Sequence, residues 1–160
     1  MTETKVLWLP WGKNAFQKAK ELDRPILLAI GAVWCHWCHV MDQTTYSDMD
    51  VAKLIQKRYV PIRVDRDQRP DIDKRYNMGG WPTAAFLTPD GELITGVTYV
   101  PPQQMKSLLQ QISRFYEKDK NNIKAKLKEL EKEEIKAPSI EYGLDHEFFQ
   151  SIIDLSLIHI

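Results

Sequence analysis

Both cysteines of the 160-residue chain lie in one short segment, Trp34-Cys-His-Trp-Cys-His39. A structural disulfide stabilises a fold most when it closes a long loop, and a bridge between Cys35 and Cys38 would close almost none. The spacing is instead typical of redox chemistry, in which one thiolate attacks a disulfide and a second thiol resolves the mixed disulfide. We therefore predict that Cys35 is the nucleophile and Cys38 the resolving thiol.

The segments around the pair indicate how the fold would position it. Ile26–Ile30 is a short, wholly apolar run, which predicts a buried strand, and the cysteines open the helix that follows it. The first turn of a helix has unsatisfied N–H groups and the positive end of the helix dipole, and both favour thiolate over thiol. His36 and His39 flank the pair, and we expect an imidazolium there to lower the pKa of the Cys35 thiol further.

A second signal is Gly80-Trp-Pro-Thr83, in which a proline stands directly before a predicted strand. Proline cannot donate a hydrogen bond to a sheet, and a cis bond before proline allows a tight approach at such a point. The sequence therefore predicts a cis peptide bond between Trp81 and Pro82.

Apolar periodicity and turn residues predict an α/β fold with the order β-α-β-α-β-β-α and one extra helix in front. The segments that carry this prediction are a helix at Asn14–Leu22, strands at Ile26–Ile30 and Tyr59–Val64, a helix after Pro70, a hairpin of Thr83–Thr88 with Glu92–Val97, and a helix after Pro101. Asp48 or Asp50 is expected to cap a further helix after the one that the cysteines open.

A CxxC helix followed by an X-Pro-Thr segment and a hairpin resembles the thioredoxin family, over roughly Asn14 to Phe115. The resemblance implies a three-layer fold with a mixed central sheet flanked by helices, extended by helices at both ends. In that family the cis-proline loop faces the CxxC and presents backbone groups to an extended substrate. By this resemblance, Trp81 and Pro82 are substrate-binding residues, and Trp34 and Trp37 are assigned to the same surface.

Further motifs, including Cys35-His-Trp-Cys-His-Val-Met41 and Gly79-Gly-Trp-Pro82, are similar to the thioredoxin-like N-terminal domain of the spermatogenesis-associated protein family. In that family a large helical barrel follows this domain. We expect a lead-in at residues 1–12, a thioredoxin-like domain at 13–116, and a charged helical linker at 117–137, where the composition shifts to lysines and acids. Residues 138–160 are expected to be a remnant of a following domain, as the resemblance implies, or a non-native tail. The missing barrel domain is then a candidate partner.

One feature of many thioredoxins is absent from the sequence. They bury a carboxylate on the strand before the active site, where it relays the proton of the resolving cysteine. Ile26–Ile30 contains no acid, and Ala29 occupies the corresponding position. We therefore expect proton transfer to depend on water or on a histidine.

The charge balance and the hydropathy of the chain argue against nucleic acid and membrane as partners. The 22 Lys and Arg residues balance the 22 Asp and Glu residues, so a basic surface for nucleic acid or anionic lipid is not expected. No apolar run approaches the roughly 20 residues of a membrane span, and the apolar start of the chain is too short for a signal peptide. The sequence predicts a cytoplasmic protein that acts on protein or small-molecule disulfides and needs no cofactor.

Three alternatives to a thiol–disulfide oxidoreductase remain open. The domain could be a non-catalytic interaction or structural module of a larger protein. Cys35, Cys38 and His39 could share a helical face and bind Zn²⁺, although a fourth ligand is not visible. The letters also match a C-x-x-C-H haem attachment pattern, but the buried strand before them and the lack of an export signal argue against it.

Overall fold

The fold is built on a mixed four-stranded sheet, seen in a computed structural model that describes residues 5–133, with side chains described for residues 5–122. The predicted tail at 138–160 lies outside the described residues. The elements in chain order are α1 (Lys13–Leu22), β1 (Ile26–Gly31), α2 (His36–Gln43), α3 (Met49–Arg58), β2 (Val60–Asp65), α4 (Pro70–Tyr76), β3 (Thr83–Leu87), β4 (Leu93–Val97) and α5 (Pro102–Glu133).

The strand order is β2-β1-β3-β4. β1 pairs in parallel with β2 and antiparallel with β3, and β3 and β4 form the antiparallel hairpin. β1 is therefore an interior strand, and five of its six residues are buried, which explains its wholly apolar sequence. The predicted α/β fold with a mixed sheet is confirmed.

Helices cover both faces of the sheet. Leu27 and Ala29 of β1 belong to a core cluster that includes residues of α2, α3 and α5. Ile26, Leu28 and Ile30 belong to a second cluster, shared with α1 and α4. Since successive side chains of a strand point to opposite faces, this alternation produces the three layers that the sequence resemblance implied.

The lead-in segment extends the sheet at its β2 edge. The Leu9 amide donates to the Pro61 carbonyl at 2.9 Å, and the Arg63 amide donates to the Leu9 carbonyl at 3.0 Å. These bonds pair backbone groups on the outer side of β2 that would otherwise face solvent as a sheet edge. They also hold the neighbouring Trp8 against the end of α2, where its ring contacts Tyr46.

Two helix starts follow from local chemistry. Asp48 caps α3, because its Oδ1 accepts hydrogen bonds from the backbone amides of Asp50 and Val51, both at 3.0 Å. The Val51 bond is the largest cause of a pKa lowered below the usual value for Asp48. α5 begins with Pro102 at its first position and buries Met105, where α5 packs into the core.

α5 continues without a break through the segment expected to be a charged linker, as far as Glu133. Its first part is anchored on the domain, with Leu108, Leu109 and Ile112 buried. Further along, Tyr116 donates to Asp23 Oδ1 at 2.8 Å, and the Lys120 ammonium lies 2.9 Å from Asp23 Oδ2. The charged segment that begins at residue 117 is therefore tied to the turn between α1 and β1 through its fourth residue.

Candidate functional site

Cys35 and Cys38 lie at the N-terminus of α2 and form a disulfide, with their Cα atoms 5.3 Å apart. Cys35 is the N-cap residue, and its Sγ accepts a hydrogen bond from the Cys38 amide at 3.2 Å. Only 7% of Cys35 is exposed. The first sulfur thus lies at the helix N-terminus and accepts an amide hydrogen bond there, which is the environment that favours a thiolate.

The end of β1 packs directly against the second sulfur. A Cβ atom at Gly31 would lie 3.2 Å from Cys38 Sγ, closer than ordinary van der Waals contact. The strand can approach the cysteine this closely because glycine has no side chain. β1 therefore supports the CxxC in two ways: its last residue packs against Cys38, and the chain continues from it into the loop before Cys35.

The Trp81–Pro82 peptide bond is cis. Pro82 is buried and lines a pocket of about 210 Å³ together with Gly31 and Cys38. The loop before β3 and the second cysteine of the CxxC therefore line the same surface depression. We refer to this depression as the Cys38 pocket.

The two histidines that flank the cysteines have different surroundings. His39 Nε2 lies 2.7 Å from the Val33 carbonyl oxygen and donates to it, since a carbonyl can only accept. This bond fixes the His39 ring over the loop before the cysteines, where it forms part of the pocket lining. His36 is exposed, and its ring centre lies 5.7 Å from that of Trp37.

Large apolar side chains are exposed around the cysteines. Val33 is 74% exposed, Trp34 60% and Trp37 54%. The Trp34 ring meets the edge of Trp81 at a centroid distance of 5.9 Å, and the Trp37 ring lies 5.1 Å from that of Tyr99. We call these five side chains the aromatic rim. Val33, Trp34 and Trp37 are its exposed members and lie next to the cysteines in the chain, and apolar side chains exposed together in this way mark an interaction surface.

Charged residues after β2 hold two members of the rim in place. Trp34 Nε1 donates to Asp67 Oδ2, and Trp81 Nε1 donates to Asp73 Oδ1, both at 2.8 Å. The Arg66 guanidinium lies 4.8 Å from the Trp81 ring centre and 3.6 Å from Asp73 Oδ2. The sequence predicts a helix start rich in ion pairs here and does not decide whether its Asp and Arg residues line the site. The signal that these residues lie at the site is that they follow the carboxyl end of β2, beside the end of β1 that leads to Cys35.

A second charged group was not singled out from the sequence. Arg63 of β2 donates through both terminal nitrogens to the two carboxylate oxygens of Asp42 on α2, one of these bonds being 3.2 Å long. Both residues line the Cys38 pocket, as does Tyr46. The Tyr46 hydroxyl is buried without a hydrogen-bond partner among the described residues, and burial raises its pKa. The signal in the sequence was Arg63 itself, the one charged residue between Tyr59 and Val64.

The described residues can also be compared with the requirements of a metal site and of a membrane-spanning helix. Between residues 5 and 133, no group of three or more His, Cys, Asp or Glu side chains is arranged to hold a metal ion. Within the same range, no helix combines the length and the apolar character needed to cross a membrane.

Comparisons with known proteins agree with this geometry. Residues 1–135 match the family model Thioredox_DsbH, described as a protein of unknown function, DUF255. The Caenorhabditis elegans protein B0495.5 is 46% identical over 110 residues, covering 64% of this chain and 15% of that protein. Human spermatogenesis-associated protein 20 is 35% identical over 130 residues, covering 72% of this chain and 16% of that protein. The chain thus spans about one sixth of the length of the curated relatives that it matches.

Among solved structures, a thioredoxin from Thermus thermophilus superimposes with a TM-score of 0.60 at 24% identity, covering 68% of this chain and 87% of that one. This likeness shows a thioredoxin-like fold, and the resemblance to the thioredoxin-like domain of the spermatogenesis-associated proteins is also confirmed. The chain belongs to the Thioredox_DsbH family, also described as DUF255.

Proposed function

We propose that this domain is a thiol–disulfide oxidoreductase that acts on protein disulfides. The observation that carries the proposal is the Cys35–Cys38 disulfide at the start of α2, with Cys38 and Pro82 lining the same pocket. A dithiol placed at a helix N-terminus is suited to exchange because its first sulfur is stabilised as a thiolate. A buried structural bridge would gain little from so short a loop.

The reaction balances in two displacements. In the reduced protein, the Cys35 thiolate attacks one sulfur of the substrate disulfide, and the other substrate sulfur leaves as a thiolate. The Cys38 thiolate then attacks Cys35 Sγ, which forms the intramolecular disulfide and expels the second substrate thiolate. Two electrons pass from the cysteine pair to the substrate, and an external dithiol is needed to reduce the pair again.

The surroundings of the pair suggest how a substrate would be held. An extended chain beside Pro82 would meet backbone groups of the loop before β3, while the aromatic rim would bury apolar side chains next to the scissile disulfide. His36, exposed beside Trp37, would add positive charge near the Cys35 sulfur when protonated. We propose a protein disulfide rather than a small disulfide as the main substrate, because three large apolar side chains, Val33, Trp34 and Trp37, are exposed beside the cysteines.

Reduction of insulin by dithiothreitol tests this function, since the reduced B chain precipitates and scatters light. The wild-type protein is expected to accelerate the reaction, and Cys35→Ser is expected to abolish the acceleration. Cys38→Ser serves as the matched variant, because it keeps the nucleophile. When it is reduced beforehand and mixed with insulin in the absence of dithiothreitol, it should trap a mixed disulfide that mass spectrometry detects. Equal rates for wild type and Cys35→Ser would refute the proposal.

A second candidate is a non-catalytic interaction module of a larger protein, acting in the cytoplasm or beside a helical-barrel domain. The much greater length of the relatives favours it. This function predicts partner binding through the rim without insulin reduction, and binding that survives Cys35→Ser.

A further inference from the structure

The second displacement of the proposed exchange requires the Cys38 thiol to lose its proton. An ordinary cysteine has a pKa of about 8.5, so it is mostly protonated at neutral pH and nucleophilic only as the thiolate. Cys38 is the third residue of α2, and its backbone amide donates to Cys35 Sγ, so that hydrogen bond stabilises the first sulfur and not its own. A proton acceptor near Cys38 would therefore accelerate the release of substrate.

The Cys38 pocket offers a route to such an acceptor. Its volume of about 210 Å³ exceeds the space that a few water molecules need, and polar groups line it beside Cys38. Ala29 contributes only a methyl group to the wall, which leaves the space between the sheet and α2 open. Water in this pocket would find partners in Asp42, Arg63 and the unpaired Tyr46 hydroxyl.

Asp42 is the carboxylate best placed to take the proton. It follows Cys38 by four residues on α2, so the two side chains share one face of the helix. Arg63 holds both of its oxygens, and Arg63 is the register partner of Ala29 in the parallel pair of β1 with β2. The sheet thus places a cation opposite an alanine, and that cation reaches across to a carboxylate on the helix.

The other titratable groups around the pocket are less suited. Asp65 Oδ1 accepts the Asp67 amide at 2.8 Å and so supports the turn after β2. His39 donates through Nε2 to the Val33 carbonyl, which ties its ring to the loop before the cysteines. Tyr46 keeps its proton at neutral pH because burial raises its pKa, so it can donate a hydrogen bond to water but cannot act as a base.

We propose that Asp42, positioned by Arg63, accepts the Cys38 proton through water in the Cys38 pocket. The inference deepens the proposed exchange and depends on it. The proton moves from Cys38 Sγ through water to the Asp42 carboxylate as the Cys38 sulfur bonds to Cys35 Sγ. The bond between Cys35 and the substrate sulfur breaks in the same displacement, and its electron pair leaves on the substrate sulfur.

Single-turnover reaction of the reduced protein with dithiobis(nitrobenzoate) separates the two displacements, because each one releases a coloured thiolate. Asp42→Asn is expected to leave the first phase unchanged and to slow the second by at least about tenfold at neutral pH. The deficit should shrink as the pH rises past about 8.5, where solvent deprotonates a thiol unaided. Asp50→Asn, which removes an exposed carboxylate from the next helix, is the matched control and should change neither phase.

The outcomes separate the inference from the proposed function. An unchanged second phase in Asp42→Asn would overturn the inference alone, and so would a second phase slowed to the same extent at every pH, because loss of a proton acceptor predicts recovery at high pH. Arg63→Gln should slow the second phase less than Asp42→Asn does, with the same recovery at high pH. This variant replaces Asp42→Asn in the experiment if Asp42→Asn does not fold. If the wild-type protein releases no coloured thiolate and does not reduce insulin, the proposed function itself fails.

Discussion

The indole rings of Trp34 and Trp81 meet edge to face with their centres 5.9 Å apart. Trp34 stands immediately before Cys35, and Trp81 forms the cis bond with Pro82. The contact therefore joins the two loops that border the candidate site, although 46 residues lie between Trp34 and Trp81 in the chain. Each ring is also held from the same segment after β2, Trp34 by Asp67 and Trp81 by Asp73.

The carboxylate that holds Trp81 should be important for stability. Asp73 is only 6% exposed and accepts hydrogen bonds from Trp81 Nε1 and Asn77 Nδ2. Asp73→Ala leaves both donors unpaired, and we expect it to reduce the free energy of unfolding by about 2–4 kcal/mol. Urea unfolding followed by tryptophan fluorescence measures the change.

Asp71→Asn is the control for this experiment, because Asp71 lies on the same helix but pairs with Arg69 at the exposed surface. Its unfolding midpoint should stay close to that of the wild type. A similar loss in both variants would show that the buried position of Asp73 is not what matters.

The exposed ring of Trp37 should matter for substrate and little for folding. It contributes apolar area beside Cys35 and contacts Tyr99. For Trp37→Ala we expect kcat/KM for insulin to fall about tenfold, which corresponds to about 1.4 kcal/mol, and the rate with a small disulfide to change little. Steady-state assays with both substrates measure the ratio.

Met49→Ala is the matched control, since Met49 is equally exposed but belongs to α3 rather than to the rim. It should leave both rates unchanged. An equal loss with insulin in both variants would argue against a substrate surface at Trp37.

The cap of α3 predicts a pH dependence of stability. The pKa of Asp48 is lowered in the folded protein, chiefly by the Val51 amide, so folding favours its ionised form. This contribution is complete above the unfolded pKa of about 3.9 and is lost as the pH falls through the lower folded pKa. We expect Asp48→Ala to cost about 1 kcal/mol at pH 7 and much less at about pH 2.

Asp48→Ser separates the charge from the cap, because a serine hydroxyl accepts the same amide bonds at any pH. Its stability relative to Asp48→Ala should not change between the two pH values when measured by urea unfolding. If Asp48→Ala costs as much in acid as at neutral pH, the ionised carboxylate does not stabilise the helix start.

The elements that the sequence predicted well are those whose signals are local. The strand expected at Ile26–Ile30 is present as Ile26–Gly31, and the strand expected at Tyr59–Val64 begins one residue later, at Val60. Uninterrupted apolar runs and nearby turn residues suffice for such predictions. The sequence leaves Asp48 and Asp50 as the two candidates for the N-cap of α3. The choice between them depends on backbone angles that only the fold provides.

The residues of the candidate site also fall into two groups, those that local sequence signals predict and those that only the fold brings together. The spacing of Cys35 and Cys38 predicts that they lie one helical turn apart, and the proline before a strand predicts a cis peptide bond between Trp81 and Pro82. Both predictions were possible because each feature depends on a few consecutive residues. The pairing of Arg63 with Asp42 and of Trp81 with Asp73 depends on the register of β2 against β1 and on the packing of helices over the sheet. These contacts join residues that are far apart in the chain or in different elements. The sequence by itself therefore determined which residues could exchange a disulfide, and the tertiary structure decided which groups hold them and line the pocket beside Cys38.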